Sequence, residues 1–172
     1  MIEIRRLSAA EAAGLMSDLA AVLVDCVEGG ASVSFMLPFT QSDAEGFYAK
    51  VAAGVSADER ILLAAFENGN LAGTVQVLLN MPPNQPHRAE IAKLLVHRSF
   101  RGRGIARSLM EAAERGAASV GKTLLVLDTV TGGDAERLYE RLQWTKAGVI
   151  PNYALFPDGR FTGTTIFWKA LR

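Results

Sequence analysis

The sequence predicts a mixed α/β fold, a mostly antiparallel central sheet flanked by helices. Three observations carry this. Asn68-Gly69 joins two apolar runs, 61–66 and 71–79, and Asn-Gly between such runs is a strong hairpin signal. A strand–helix–strand unit follows, with a strand at 88–96, a helix at about 104–119 and a short apolar strand at 124–128. Antiparallel strands followed by such a unit give a mixed sheet. The 172 residues make one domain, 1–172, at roughly 150 residues per domain. A chain of this length buries about 70% of its unfolded surface and needs no disulfide or metal to hold its core.

The elements follow in order. Residues 2–7 alternate and read as a strand. Ser8-Ala9-Ala10-Glu11 is a capping box that opens a helix. Ala12, Leu15, Leu19, Val22, Leu23 and Cys26 continue it as one apolar stripe, and Gly29-Gly30 stops it. Cys26 lies on that stripe with no histidine near it, so it reads as a buried structural thiol. Residues 31–40, with Pro38, read as a loop, and 41–54 as a second helix. The segment 80–86, with Pro82, Pro83 and Pro86, cannot be regular structure. Ile105, Leu109, Ala112, Ala113, Gly116 and Val120 mark the buried face of the 104–119 helix. Thr131-Gly132-Gly133-Asp134 resembles an N-cap, and a helix carrying Leu138 and Leu142 runs to about 143. A loop at 151–163 and a strand at 164–168 complete the chain.

Composition removes several function classes. With 49% hydrophobic and 21% charged residues the chain is globular and not disordered. One cysteine allows no intrachain disulfide, and two histidines, His87 and His97, make a Cys/His zinc site untenable, so no metal is expected. No apolar run reaches the roughly 20 residues of a membrane span, and the N-terminus lacks the basic-then-apolar order of a signal peptide. A cytoplasmic location without a membrane partner is the expectation. The net charge is zero but uneven. Residues 1–86 carry four Lys/Arg against ten Asp/Glu, and 87–172 carry fourteen against eight. Arg88, Lys93, Arg98, Arg101, Arg103 and Arg107 form a short cluster opposed only by Glu90. Such a field suits a small polyanion. Nucleic acid is not expected, because the whole chain has no basic excess and few aromatics near the cluster.

Two glycine patterns compete as the polyanion site. Gly116-Ala-Ala-Ser-Val-Gly121-Lys122-Thr123 satisfies the P-loop expression literally. A working P-loop follows a strand and opens a helix. Here Gly116 lies in a helix, Thr123 leads into a strand, and Lys122 is placed to cap the helix C-terminus. Arg101-Gly102-Arg103-Gly104-Ile105-Ala106 has the right context, after a strand and at the start of an amphipathic helix. Small residues at 102, 104 and 106 let a ligand approach the backbone, and the first-turn N–H groups face it. Arg101, Arg103 and Arg98 add charge. A dinucleotide fold would need a third glycine where Arg107 stands, although Asp128 ends the next strand about where a ribose-binding acid sits.

This loop resembles the acyl-CoA loop of the GCN5-related N-acetyltransferase superfamily, Gln/Arg-x-x-Gly-x-Gly/Ala, through Arg101, Gly104 and Ala106. The strand Ala89–Val96 and the segment Ala135–Trp144, with Leu138-Tyr139, also resemble it. A narrower likeness is to tabtoxin-resistance-type acetyltransferases, through Gly29–Val33, Arg88-Ala89-Glu90, Leu127-Asp128-Thr129 and Pro157–Arg160. Gln143, Trp144 and Asp134 depart from the superfamily pattern on the acceptor side. The resemblance implies acetyl-CoA as co-substrate, a strand splayed from its neighbour, and N–H groups near Leu94, Leu95 and Val96 that bind the cofactor, one as oxyanion donor. It implies that Gly102 through Arg107, Ile105 included, cradle the pyrophosphate with Arg101. It also places Tyr139 near the sulfur, and implies a small amine acceptor such as an amino-acid-like or β-lactam toxin.

Acyl transfer to an amine needs a base, a polarised carbonyl and a proton for the leaving thiolate. Tyr139 is the candidate acid. Glu90, in a mostly apolar strand, and Asp128, at a strand end, are the candidate bases. Two neighbouring carboxylates sharing a site raise one pKa. The plainer readings are a Glu90–Arg88 ion pair and an Asp128 turn cap. His87 and His97 flank the strand in loops and are weaker candidates. Gly30–Phe39 and 151–163 are placed to close over the acceptor. A non-catalytic acyl-CoA sensor would keep Arg101–Ala106 without Tyr139 or the carboxylates, and a dinucleotide-dependent oxidoreductase is a third reading. The apolar tail around Phe161–Trp168 is compatible with a homodimer.

Overall fold

A computed structural model describes residues 1–171. Seven strands form one sheet in the order β1-β2-β3-β4-β5-β7-β6. They are β1 (Ile2–Leu7), β2 (Arg60–Glu67), β3 (Asn70–Leu78), β4 (Arg88–Val96), β5 (Leu124–Val130), β6 (Thr145–Leu155) and β7 (Phe161–Ala170). The helices are α1 (Ala9–Gly14), α2 (Met16–Glu28), α3 (Gln41–Ser56), α4 (Ile105–Ser119) and α5 (Asp134–Arg141). Among the described residues only β4 and β5 pair in parallel, so the predicted mixed, mostly antiparallel sheet is the one observed. The Asn68-Gly69 turn has φ of +52° and +82°, the mirror-image turn that matches strand twist.

Each face of the sheet has its own core. On one, Ile105, Leu109, Met110, Ala113 and Ala117 of α4 pack on Ile61, Val75, Val77 and Leu125. On the other, α1–α3 cover Leu7, Leu62, Ala64 and Leu95. Full burial of each large side chain stabilises by about 1.5–3 kcal/mol, so these two layers fix the sheet between them. The second layer draws its buried sheet residues from β1, β2 and β4, with Leu71 of β3 at its margin.

Four expectations change. The single helix from Ser8 is two, because Gly14, a weak helix former, precedes a break at Leu15 (φ −103°, ψ 15°). The capping box itself is formed. The α4 stripe takes in Met110 and Ala117, whereas Val120 is 41% exposed, because the helix ends at Ser119 and Gly121 (φ +79°) turns the chain away. Lys122 caps α4 through its backbone N–H, which donates to Ala117 O at 3.1 Å, and not through its charge; its ammonium donates to the carbonyls of Pro86 (2.8 Å) and Leu79 (3.2 Å), tying down the proline segment. In α5 the buried side chains are Glu136 and Tyr139, with Leu138 and Leu142 only partly covered.

The largest difference is β6, which runs through Pro151 to Leu155 and takes the first five residues of the expected 151–163 loop, while β7 takes the last three. It is an edge strand with register shifts between Lys146 and Gly148 and between Ile150 and Ala154, so proline and Asn152 (φ +53°) are accommodated as irregularities. No helix among the described residues is long and apolar enough to cross a membrane.

Candidate active site

β4 and β5 pair only from Arg88–Glu90 to Leu124–Val126. Beyond these residues each strand keeps its outer neighbour, β3 or β7, and the two part. A groove of about 1140 Å³ fills the gap and reaches the glycine turn. A bulge in β4 accompanies the parting. Thr74 faces Leu95 and Gln76 faces Ala92, so Lys93 and Leu94 share one opposite residue, with Lys93 at φ +53°.

The end of β4 is held by one carbonyl. Val96 O accepts from Arg101 Nε at 3.1 Å and from Cys26 Sγ at 3.5 Å. Cys26 is buried, and burial pushes its thiol pKa up, as a structural thiol requires. Leu95 packs into the α2–α3 core, and Leu94 packs at the margin of the α4 core.

The turn after this strand has two left-handed glycines, Gly102 (φ +77°) and Gly104 (φ +82°). A Cβ built on either meets no protein atom within 4 Å, so the space beside them is open. Gly104 is the N-cap of α4 and supplies no side-chain cap. The first α4 amide with a protein acceptor is that of Ser108, to Gly104 O at 3.1 Å, which leaves the N–H groups of Ile105, Ala106 and Arg107 for a ligand. An unfilled helix N-terminus behind two permissive glycines is an anion cradle.

The structure redistributes the basic cluster. Arg103 pairs with Glu67, Arg98 with Asp25 (2.8 Å), Arg107 with Glu111 (2.8 Å) and Arg88 with Glu90 (2.6 Å). Arg101 has no carboxylate partner among the described residues. Its Nε holds Val96 O, the guanidinium lies beside the Cys26 thiol, and its terminal nitrogens donate to no oxygen among the described residues. Ile105 is a core side chain, so only its amide is available. His97 caps the short turn at Arg98–Phe100 by accepting from Ser99 N–H at 3.2 Å.

At the other end, Asp128 is exposed on β5 and accepts from Thr164 Oγ1 at 3.3 Å. Glu90 lines both the groove and a smaller cavity of about 440 Å³ beside Arg60 and Arg88. Tyr139 is 5% exposed, and its ring lies 5.8 Å from Phe167 and 6.1 Å from Trp144. Its hydroxyl has no protein partner among the described residues, and the residue lines the groove. Burial, and then the Asp128 charge, push the Tyr139 pKa well above a free phenol's. Glu136 sets the helix that carries it, accepting from Gly132 N–H, Lys146 Nζ (3.0 Å) and Thr165 Oγ1 (3.2 Å). The N-cap expected within Thr131–Asp134 is Gly133, which supplies no side-chain cap.

Loop 31–40 is fastened over this end. Ser32 Oγ donates to Leu155 O at 2.6 Å, and Leu37 N–H donates to Pro157 O at 3.1 Å. Beneath it, Lys93 Nζ donates to Ser34 Oγ at 3.1 Å. Sequence reasoning counted Lys93 only in the basic cluster for the polyanion, not at the acceptor end, and did not place Thr164 in the site. Lys93 carried a signal as the lone cation in the middle of an apolar strand. Thr164 carried none, because only the β5–β7 register brings it to Asp128.

Residues 31–144, about two thirds of the chain, match the acetyltransferase (GNAT) family. An N-acetyltransferase from Staphylococcus aureus Mu50 has a TM-score of 0.82 at 19% identity, covering 100% of this chain and 99% of that one. The Salmonella typhimurium protein yncA, solved with its cofactor acetyl-CoA, has a TM-score of 0.80 at 19% identity over 100% and 95%. A ribosomal-protein-alanine N-acetyltransferase from Brucella melitensis has a TM-score of 0.78 at 22% identity over 98% and 99%. These likenesses establish a shared fold. The family match runs from the roof loop through the parted strands and the glycine turn to the tyrosine helix, and the chain belongs to the GNAT acetyltransferase family.

Proposed function

We propose that the protein uses acetyl-CoA to acetylate the amine of a small molecule by direct transfer, and that the acceptor is amino-acid-like, in the manner of the tabtoxin-resistance-type enzymes it resembles. The observation that carries this is the parting of β4 from β5 in front of the left-handed Gly102–Gly104 turn. Acetyl-CoA fits that geometry. The turn offers open space and unpaired amides for a pyrophosphate, Arg101 offers its terminal nitrogens, and the groove continues between the strands to Tyr139 and Asp128. When bound, it would supply an acetyl group activated as a thioester.

The chain's own groups divide the remaining work. Those amides near Leu94–Val96 that face away from β3 hold the acyl arm, one of them stabilising the developing oxyanion. Asp128 takes a proton from the acceptor ammonium, since Thr164 occupies only one of its oxygens. Glu90 is committed to Arg88 and orients the acceptor from the groove's edge. Tyr139, kept protonated by burial, donates its hydroxyl proton to the departing sulfur. An acyl-CoA sensor would have no use for an unpartnered phenol beside a carboxylate, which favours the enzyme. The proposal involves no metal, nucleic acid or membrane and takes the cytoplasm as the site of action. Self-association through exposed Val149, Ile150, Phe161 and Trp168 is compatible with it.

Calorimetry with CoA, acetyl-CoA, NAD and ATP tests the cofactor, with CoA-selective binding expected. Release of free thiol from acetyl-CoA in the presence of amines tests the transfer. Binding without thiol release for any amine would leave the sensor.

A further inference from the structure

The acceptor end of the groove holds a cation that the mechanism above does not use. Lys93 is the extra residue of the β4 bulge. In an uninterrupted strand Ile91 and Leu95 would share a face. Here Ile91 packs with the α4 core and Leu95 with the α2–α3 core, so the alternation resets at the bulge. The Lys93 side chain runs from this point to the roof loop. Its Nζ lies 3.1 Å from Ser34 Oγ and 6.0 Å from the centroid of the Phe35 ring.

An ammonium has three donors, and the described residues accept one of them. No carboxylate lies within ion-pair distance of Nζ among the described residues. Burial pushes the Lys93 pKa down, Asp128 pushes it up, and Arg60 adds to the downward push, so Lys93 and Asp128 share one field. They stand on the two parted strands and both line the groove. Asp128 has an oxygen to spare, and Lys93 has two N–H groups to spare. A cation and an anion on opposite walls, each incompletely paired by the protein, are complementary to a zwitterion.

We infer that Lys93 is a specificity-determining residue that binds the carboxylate of an amino-acid acceptor whose amine faces Asp128. This rests on the acetyltransferase reading and narrows its acceptor to molecules carrying both an amine and a carboxylate. A charge-assisted hydrogen bond in a half-buried site changes affinity about ten- to a hundredfold.

The test uses the protein amino acids as free acids and as their α-carboxamides, assayed with acetyl-CoA by thiol release and by calorimetry on the CoA-loaded protein. At least one acid is expected to exceed its carboxamide about ten- to a hundredfold in kcat/KM and in affinity. Lys93→Met should abolish that preference by raising KM for acids, leaving carboxamides and CoA affinity as they were. Lys93→Arg should restore part of it. Should Lys93→Met fail to fold, the wild-type acid-to-carboxamide ratio and the Lys93→Arg variant carry the test. No acid preferred over its carboxamide, or a Lys93→Met loss of kcat shared equally by both classes, overturns the inference. Failure of the wild-type protein to bind CoA would instead remove the acetyltransferase reading.

Discussion

Replacing Gly104 by alanine separates the fold from the cofactor site. Gly104 sits at φ +82°, and a Cβ there meets no protein atom within 4 Å. The substitution therefore costs the fold only the left-handed strain of an L-residue, about 1–2 kcal/mol. For a chain of this size that lowers Tm by roughly 2–8 °C. Gly121, at φ +79° with the same open surroundings, lies after α4 and outside the groove, so Gly121→Ala should cost the same. The two differ only in what occupies the open space. At Gly104 the new methyl stands before the free amides of the α4 N-terminus. It would displace one or two charge-assisted contacts to a pyrophosphate, at about 1.5–3 kcal/mol each. CoA affinity measured calorimetrically should then fall at least about tenfold for Gly104→Ala and stay level for Gly121→Ala. Wild-type CoA affinity in Gly104→Ala, or an equal loss in both variants, would show that the turn does not hold the cofactor.

The division of the site predicts further outcomes. Asp128→Asn should lower kcat by about 10²–10⁴ and Glu90→Gln by much less, with saturating acetyl-CoA; equal losses would reject the assignment of the base. Tyr139→Phe should leave thermal stability within about 0.5 kcal/mol, because its hydroxyl has no protein partner, while kcat falls about 10²-fold. Arg101→Ala should weaken CoA binding more than Arg103→Ala, whose guanidinium is engaged by Glu67, and calorimetry ranks them. Tyr48 and Tyr139 both have pKa values raised by burial above that of the unfolded phenol. Their contribution is intact below about pH 10 and is lost above it, so denaturant titrations should show stability falling by about 1.4 kcal/mol per pH unit for each phenol; Tyr48→Phe should remove one share.

How much of this was legible in the sequence follows from the range of the forces involved. The capping box at Ser8, the Asn68-Gly69 hairpin and the glycine turn at 102–104 are local devices, settled within four residues, and each formed as read. The strand β6 was illegible because its glycine, proline and asparagine resemble a turn, and only pairing with β7 makes them bulges. The basic cluster misled for the same reason. Arg98 and Arg103 look free in sequence, yet Asp25 and Glu67 reach them from far along the chain. Glu136 stood unnoticed because its partners Lys146 and Thr165 arrive from β6 and β7.

The groove itself depends on a division of labour within one guanidinium. A parallel pair such as β4–β5 tends to continue zipping, since each further residue adds a ladder bond. Here the bulge at Lys93 changes which way the β4 backbone faces, and the Val96 carbonyl is then taken by Arg101 Nε and Cys26 Sγ. Because Arg101 spends its Nε on the strand, its terminal nitrogens are fixed in direction while donating to no oxygen among the described residues. The same residue thus keeps the strand end apart from β5 and presents charge at the mouth of the glycine turn. Lysine at this position would supply charge without the second bond, having no planar fork to hold a carbonyl and a phosphate at once. On this argument Arg101→Lys should weaken CoA binding nearly as much as Arg101→Ala does. It should also raise amide hydrogen exchange at Val96 and His97. Wild-type affinity and exchange in Arg101→Lys would mean that charge alone suffices and that the strand end is held open by something else.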